Sequence, residues 1–224
     1  PLLYRNGLFN CAALAVDGRI VGFVAKHHLA GDGVYYEPRW FKAWPVGVRA
    51  VLEDQGGVPL GDALFDIGGV RIGFEICEDA WVSDRFGGEI SKFGIDLFLN
   101  PSASHFAFGK EETRRQIVIE GSRQFDSAYV YVNHVGNDAG RIIYDGARLV
   151  AQKGKLLSEA ALFSFEKFDT SYVDLSFELN RSEKFPPEQK RLVPSAFRFH
   201  QIETATYNGE IYSDRGKNED FYRA

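Results

Sequence analysis

Two side chains at the ends of apolar runs carry the reactive chemistry of this sequence. Cys77 stands in Gly69-Val-Arg-Ile-Gly-Phe-Glu-Ile-Cys77-Glu-Asp-Ala-Trp81, where an apolar run delivers the thiol and an acidic, helix-compatible run follows it. A strand-to-helix turn exposes a nucleophile and gathers backbone N–H groups, here with the Glu78 amide available to a developing oxyanion. Upstream, Lys26 ends another apolar run in Phe-Val-Ala-Lys26-His-His-Leu. Desolvating an ammonium is costly, so a lysine at the end of a buried strand needs a partner. Beside a cysteine it favours the thiolate and can hold an oxyanion. A lysine and a cysteine brought from two strand ends fit acyl transfer through a thioester. The competing readings are a small buried hydrophobe for Cys77 and a solvated strand end for Lys26. Cys11, inside an alternating strand, reads as packing alone.

A second group follows a short buried strand: Asn100-Pro-Ser102-Ala-Ser104-His105. Ligands of open α/β sheets bind at the carboxyl ends of strands, whereas Ser and Asn also serve simply as caps and turns. Ser104 and His105 are adjacent, and in an extended segment their side chains point to opposite faces, so they do not form a catalytic pair. His27-His28 has no third ligand at metal spacing, and no metal site is expected.

The elements that must position these groups can be read from the same sequence. Residues 11–16 and 19–25 flank Asp17-Gly18 and predict a hairpin. Residues 31–46, rich in Gly, Pro and aromatics, read as an ordered loop. Residues 63–67 and 70–76 form a second hairpin across Gly68-Gly69. Residues 78–93 can be helical, interrupted near Gly87-Gly88. Residues 95–99 make a buried strand, 110–125 a helix with one buried side, and 128–132 another buried strand. Residues 142–144 and 147–151 predict a hairpin about Asp145-Gly146, followed by a strand at 155–158 and a last one at 172–175. Buried strands alternating with helices, plus hairpins, give an α/β sandwich with helices outside. Residues 179–224 hold Pro186-Pro187, Pro194 and clustered charges, and read as a linker or an arm laid over a neighbouring surface.

Composition narrows the function classes. The 224 residues, 45% hydrophobic and 25% charged, suffice for one sizeable core and are short for two domains. A net charge of -5 offers no basic footprint for nucleic acid. No apolar run reaches the roughly 18 residues of a membrane helix, and no signal peptide opens the chain. Two cysteines cannot make a disulfide framework, so reduced thiols and a cytoplasmic location are expected. The chain has no Met and opens Pro1-Leu2-Leu3-Tyr4 without a cap or turn. Its end, Asn218–Ala224, looks like the first turn of an unfinished helix. We read it as a piece of a longer protein rather than a trimmed whole.

Lys26-x-His-Leu, Tyr36-Glu37-x-Arg39-Trp40-Phe41, Gly73-Phe-Glu-Ile-Cys77-Glu-Asp-x-Trp81 and Asn100-x-Ser-x-Ser104, in this order, resemble the nitrilase (carbon–nitrogen hydrolase) superfamily. Within it, the Cys-Glu-Asp-x-Trp run and the segment from Tyr4 to Cys11 most resemble the glutaminase domains of glutamine-dependent NAD+ synthetases. The resemblance covers about residues 1–178. It implies a nitrilase-like αββα sandwich, incomplete at the N-terminus, and a Glu-Lys-Cys triad acting on L-glutamine. Cys77 would be the nucleophile, Lys26 would hold the oxyanion with the Glu78 N–H, and Glu37 would orient the lysine. Glu78, Trp81, Ser104 and Lys110 would bind substrate, with Lys110 suited to its carboxylate.

The resemblance also implies a partner synthetase domain beyond this chain, with ATP and Mg2+ as its cofactors and none here, and a homo-oligomer. Two departures stand out. The triad's base glutamate is expected upstream of Pro1, because Asp17, which occupies a turn, is the sole acid before Lys26. The 224 residues alone are therefore expected to be inactive and poorly stable. Asp32 stands where the family often has a substrate-contacting Tyr, leaving Tyr35 or Tyr36 as substitutes. A stand-alone amidase and a non-catalytic assembly module are the alternative functions.

Overall fold

In the computed structural model, the described residues are 1–177 except 139 and 167, together with the backbone of 192–195. A small ribbon of β1 (Leu2–Tyr4) and β2 (Gly7–Phe9) leads into the hairpin of β3 (Cys11–Val16) and β4 (Arg19–Ala25). A one-turn helix α1 (Glu37–Trp40) lies in the loop that follows. The next strands are β5 (Arg49–Leu52), β6 (Val58–Gly61), β7 (Leu64–Ile67) and β8 (Val70–Phe74). Then come α2 (Phe86–Ser91), β9 (Leu97–Ser102), α3 (Lys110–Gln124) and β10 (Ala128–Asn133). The chain continues through β11 (Val135–Asp138), β12 (Ile142–Asp145), β13 (Arg148–Gln152), β14 (Lys155–Glu159) and β15 (Leu192–Ser195).

Two sheets dominate. A seven-stranded sheet has the order β14-β13-β10-β9-β8-β7-β15, and a four-stranded sheet has the order β3-β4-β6-β5. At the centre of the larger sheet β8, β9 and β10 run parallel, as strands joined by helical crossovers must. Ala12, Leu14 and Val24 of the smaller sheet pack against Phe65, Ile72, Phe74 and Leu97 of the larger one. On the opposite face of the larger sheet, Phe86 and Ile90 of α2 and Val118 of α3 cover Phe98, Tyr129 and Leu149. The described residues thus form helix–sheet–sheet layers of the expected α/β sandwich.

Several expectations hold: the hairpins at 11–25 and 63–76, the strands now named β9 and β10, and α3. Others are corrected. The helix expected over 78–93 splits into a single 3-10 turn at Cys77–Ala80 and α2, and Gly87-Gly88 sits inside α2 rather than breaking it. Gly87 is required for close approach: a Cβ there would lie 2.5 Å from Glu75 Oε1. The chain bends instead at 81–85, where Arg85 turns inward to meet the buried Glu75 at 2.6 Å.

The hairpin expected about Asp145-Gly146 does not form. β12 pairs with β11, and β13 pairs with β10 and β14. Asp145 is a buried anchor, and the Gly146 N–H is donated to His134 O at 2.9 Å, so the dipeptide joins two sheets. Residues 172–175 form no strand. That segment is tied by side chains rather than a ladder, through Arg148 to Ser171 and Asp169 and Gln152 to Ser176 O. α1 was not foreseen inside the 31–46 loop. The 178/179 boundary and most of the 179–224 arm lie outside the described residues; β15, within that arm, pairs parallel with β7 on the domain's own sheet. Among the described residues no helix is long and apolar enough to cross a membrane.

The contact between the sheets is tightest at Gly22, where a Cβ would meet Phe65 Cε1 at 2.5 Å and Phe65 is fully buried. Replacing Gly22 with Val overpacks this seam and is expected to cost about 1–3 kcal/mol in urea unfolding of the intact protein.

Candidate active site

The carboxyl ends of β4, β8 and β9 open on one side of the sandwich, and each delivers a candidate residue. Lys26 follows β4, Cys77 follows β8, and Ser104 follows β9. Cys77 is the first residue of the 3-10 turn and has φ 49°. That left-handed conformation is costly for a residue with a Cβ and marks functional turns. Within a one-turn helix the leading N–H groups have no internal acceptor, so the Glu78 amide stands at the mouth of the turn.

Lys26 is buried, 2% exposed, and its ammonium pairs with Glu37 Oε2. Glu37 comes from α1 and is itself fully engaged. Its Oε1 accepts Asn10 Nδ2 at 2.7 Å, and its Oε2 also accepts the Ala30 N–H at 2.6 Å. Lys26, Glu37 and Cys77 line one cavity of about 550 Å³, together with Asn10, Tyr35 and Tyr144.

A smaller cavity of about 170 Å³ adjoins it, lined among others by Asp32, Glu78, Trp81, Ser104 and Lys110. Cys77, Ala30 and Tyr35 line both cavities, so Cys77 belongs to the wall they share. The seven residues that the resemblance assigns to catalysis and substrate binding therefore line one or both of these two adjoining cavities. Lys110 Nζ lies 5.3 Å from the Trp81 ring centroid and 6.0 Å from that of Tyr35, both within cation–π range. Burial and then the nearby Arg114 guanidinium push the Lys110 ammonium below its usual range. His105 is also held below its ordinary value, first by burial and then by Lys110 and Arg114.

Tyr35, not the exposed Tyr36, faces the site. Its hydroxyl accepts the His105 N–H at 2.6 Å and lies 2.8 Å from His105 Nδ1. Ser104 and His105 diverge as expected: Ser104 is buried against Asn133 and Arg114, while His105 faces Tyr35 and Lys110. Arg114 donates to Ser104 O at 2.9 Å and pairs with Asp145, which also accepts Asn133 Nδ2 at 2.7 Å. This buried frame fixes the backbone at Ser104.

One positioning residue escaped the sequence reading. Asp79 is 2% exposed, and its Oδ1 accepts the His27 N–H at 3.1 Å and the His28 N–H at 2.7 Å. Its Oδ2 accepts the Ile76 N–H at 3.1 Å. One carboxylate thus binds the segment after Lys26 to the turn that carries Cys77. Burial pushes its pKa up, and the His28 amide opposes that. The available signal was the acid itself, two residues after the cysteine in a run otherwise entering the core. His27 and His28 take part in this framework. His27 Nδ1 is 2.9 Å from Trp44 O, and its Nε2 faces the buried Asp62 at 3.1 Å. Among the described residues no cluster of three metal-ligating side chains occurs.

Comparison with known proteins gives a consistent set of relatives. Residues 4–184 match the family model described as carbon-nitrogen hydrolase. The chain is 31% identical over 189 residues to a glutamine-dependent NAD(+) synthetase of Saccharomyces cerevisiae, covering 78% of this chain and 26% of that protein. It is 29% identical over 198 residues to a putative glutamine-dependent NAD(+) synthetase of Schizosaccharomyces pombe, covering 84% and 28% respectively. Among solved structures, a glutamine-dependent NAD(+) synthetase from Cytophaga hutchinsonii superposes with TM-score 0.64 and 47% identity over 70% of this chain and 26% of that one. The chain thus spans little more than a quarter of the length of these relatives.

Three outcomes follow from the framework. Asp79→Asn keeps only one accepting oxygen for donors on two segments and is expected to cost about 1–3 kcal/mol in urea unfolding. Asp84→Asn, an exposed carboxylate 3.8 Å from His28, should cost under about 0.5 kcal/mol. Burial lowers the His27 pKa, but the Asp62 hydrogen bond and charge outweigh it and leave it raised from 6.5. A raised histidine stabilises the fold fully below about pH 6.5 and loses that contribution as pH rises through the folded value. Stability measured from about pH 6 to pH 9 should therefore fall, and Asp62→Asn should flatten the slope.

Proposed function

Because the chain belongs to the carbon–nitrogen hydrolase family, we propose that this site hydrolyses the side-chain amide of L-glutamine by nucleophilic catalysis at Cys77. The observation that carries this reading is the meeting of the positive-φ Cys77 turn with the buried Lys26–Glu37 pair in one cavity. Cys77 Sγ attacks the amide carbon, and the carbonyl oxygen gains negative charge. The Lys26 ammonium and the Glu78 N–H receive that charge in a site largely withdrawn from water, where each is worth more than at a surface. Collapse of the tetrahedral species expels ammonia, with a proton supplied to the leaving nitrogen, and leaves a thioester. Water then adds to the thioester and releases glutamate, which restores the thiol.

Glu37 is a positioning group in this scheme. Both its oxygens are occupied by Lys26, Asn10 and Ala30. The thiol proton therefore goes to another base, and the resemblance assigns that role to a glutamate upstream of Pro1. Lys110 and Ser104 hold the substrate's α-carboxylate, and Trp81 stiffens the lysine through its ring face. We extend the proposal to the whole protein: the ammonia serves ATP-dependent, Mg2+-requiring NAD+ synthesis from deamido-NAD+ on a C-terminal synthetase domain. The similarity to glutamine-dependent NAD(+) synthetases supports that extension.

In the full-length protein, Cys77→Ala should abolish glutamate release and glutamine-dependent NAD+ formation while preserving turnover with free ammonium. Retained glutamine-dependent turnover would remove Cys77 as nucleophile. Lys26→Met should lower glutaminase kcat by about 10²–10³-fold, the scale of losing an oxyanion donor.

A further inference from the structure

The loop that leads into Glu37 is fastened to the far side of the site by one hydroxyl. Residues 31–36 form a loop closed at its base, where the Glu37 N–H is donated to Ala30 O at 3.2 Å and the Ala30 N–H to Glu37 Oε2 at 2.6 Å. Residues 31–34 and Tyr36 are exposed, whereas Tyr35 turns inward to the wall that Cys77 also lines. There its oxygen accepts the His105 N–H at 2.6 Å and lies 2.8 Å from His105 Nδ1, which joins segments 70 residues apart. His105 is a fixed post for this bond. Its carbonyl accepts Arg114 Nη2 at 3.0 Å, its backbone bridges to Tyr144 of β12, and the following Phe106 N–H is donated to Ile143 O at 2.7 Å. Lys110 decides where the protons lie. Its Nζ is 3.5 Å from the same Nδ1, and an ammonium can only donate. Nδ1 therefore presents its lone pair, the ring proton is assigned to Nε2, and the Tyr35 O–H is donated to Nδ1.

We propose that Tyr35 and His105 are positioning residues whose hydrogen bonds hold the Glu37 loop against the segment bearing Ser104 and so set the width of the site across Cys77. The inference rests on the glutaminase reading and deepens it. A shift at Tyr35 passes through the loop base to Glu37, and from Glu37 to the Lys26 ammonium. Small misplacements of reacting groups cost rate even where each group is still present. The arrangement requires a neutral His105, because protonation would replace the Nδ1 lone pair with an N–H facing the Lys110 ammonium. Lys110 and Arg114 of α3 act on this histidine, as does Asp145 of β12, which is already paired with Arg114. Tyr144 bridges to it, and Asp32, Cys77 and Glu78 line the same small cavity. Burial and then the two cations hold the ring below its ordinary value of 6.5. The contact is therefore intact at neutral pH and fails as pH drops below that value.

The test is glutamate release from glutamine by the full-length enzyme, measured as kcat/KM from about pH 8 to about pH 5 for wild type, Tyr35→Phe and His105→Ala. Near pH 8 each variant should lose about three- to ten-fold, mainly in kcat, the scale of one hydrogen bond. Other titrating groups cancel in the ratio of wild type to Tyr35→Phe, and that ratio should fall toward unity as pH drops below 6.5. In the His105→Ala background, Tyr35→Phe should cost less than in wild type and cost the same factor at every pH. A ratio that does not change with pH means that Tyr35 acts without His105, and it overturns the proposal. Wild-type kcat/KM near pH 8 in either single variant overturns it as well. A wild type that releases no glutamate from glutamine overturns the glutaminase reading itself.

Discussion

The structure around the site depends on one constraint: a lysine ammonium has been taken out of water and must be neutralised where it stands. Removing a partner from a buried ion pair costs about 3–5 kcal/mol, because a bare charge is left behind. Lys26 finds its partner in Glu37, which lies on a separate segment of chain. That single carboxylate also accepts Asn10 Nδ2 and the Ala30 N–H. The residue before β3, the turn after β4 and the one-turn helix α1 are thereby fixed to the same two oxygens. The 31–46 loop contains little regular structure, yet it is ordered because Glu37 must be held in place. Its Gly, Pro and aromatic content follows from the sharp path it takes back to the strand end.

A second carboxylate performs the matching task for the proposed nucleophile. Asp79 meets backbone N–H groups from two segments, so the turn at Cys77 cannot move independently of the segment after Lys26. This arrangement offsets the cost of holding Cys77 at positive φ, since strained backbone persists only where its surroundings over-determine it. Further out, Glu75 receives Arg85, Tyr129 and the Gly87 N–H, while Asp145 receives Arg114 and Asn133. Each buried acid joins elements that hydrophobic packing alone would leave free to slide. The apolar layers give cohesion, and the buried acids set register at the end of the sheets where the candidate site lies.

This division of labour explains what the sequence made legible. Apolar periodicity and glycine turns identify the strands that build the layers, because those signals arise from the same burial that forms the core. Cys77 and Lys26 were visible because a reactive side chain at the end of an apolar run is conspicuous. Buried polar anchors are harder. Asp145-Gly146 has the composition of a tight hairpin turn, and nothing local reveals that Asp145 meets an arginine on α3. Gly87-Gly88 looks like a helix break, but its small side is turned toward Glu75 and Phe125. Asp79 resembles any acid in the first turn of a helix. In each case the deciding partner lies far along the chain, and its position is set by the tertiary fold.

The two cavities share Ala30, Tyr35 and Cys77 as lining residues, and the rest of their walls differ. Lys26 and Glu37 line only the larger cavity, and Lys110, Trp81 and Ser104 line only the smaller one, while Cys77 borders both. In the proposed reaction the smaller cavity would hold the head of the substrate, and its Glu78 N–H would share the oxyanion with Lys26 of the larger cavity. In that reading a substrate carboxylate would stay away from Lys26, where it would compete with Glu37 for the ammonium. The buried Arg114–Asp145 frame keeps the division in place by fixing the backbone at Ser104. A site with a single open pocket would need the same lysine to serve ground-state binding and transition-state charge together, and binding both equally well would not accelerate the chemical step.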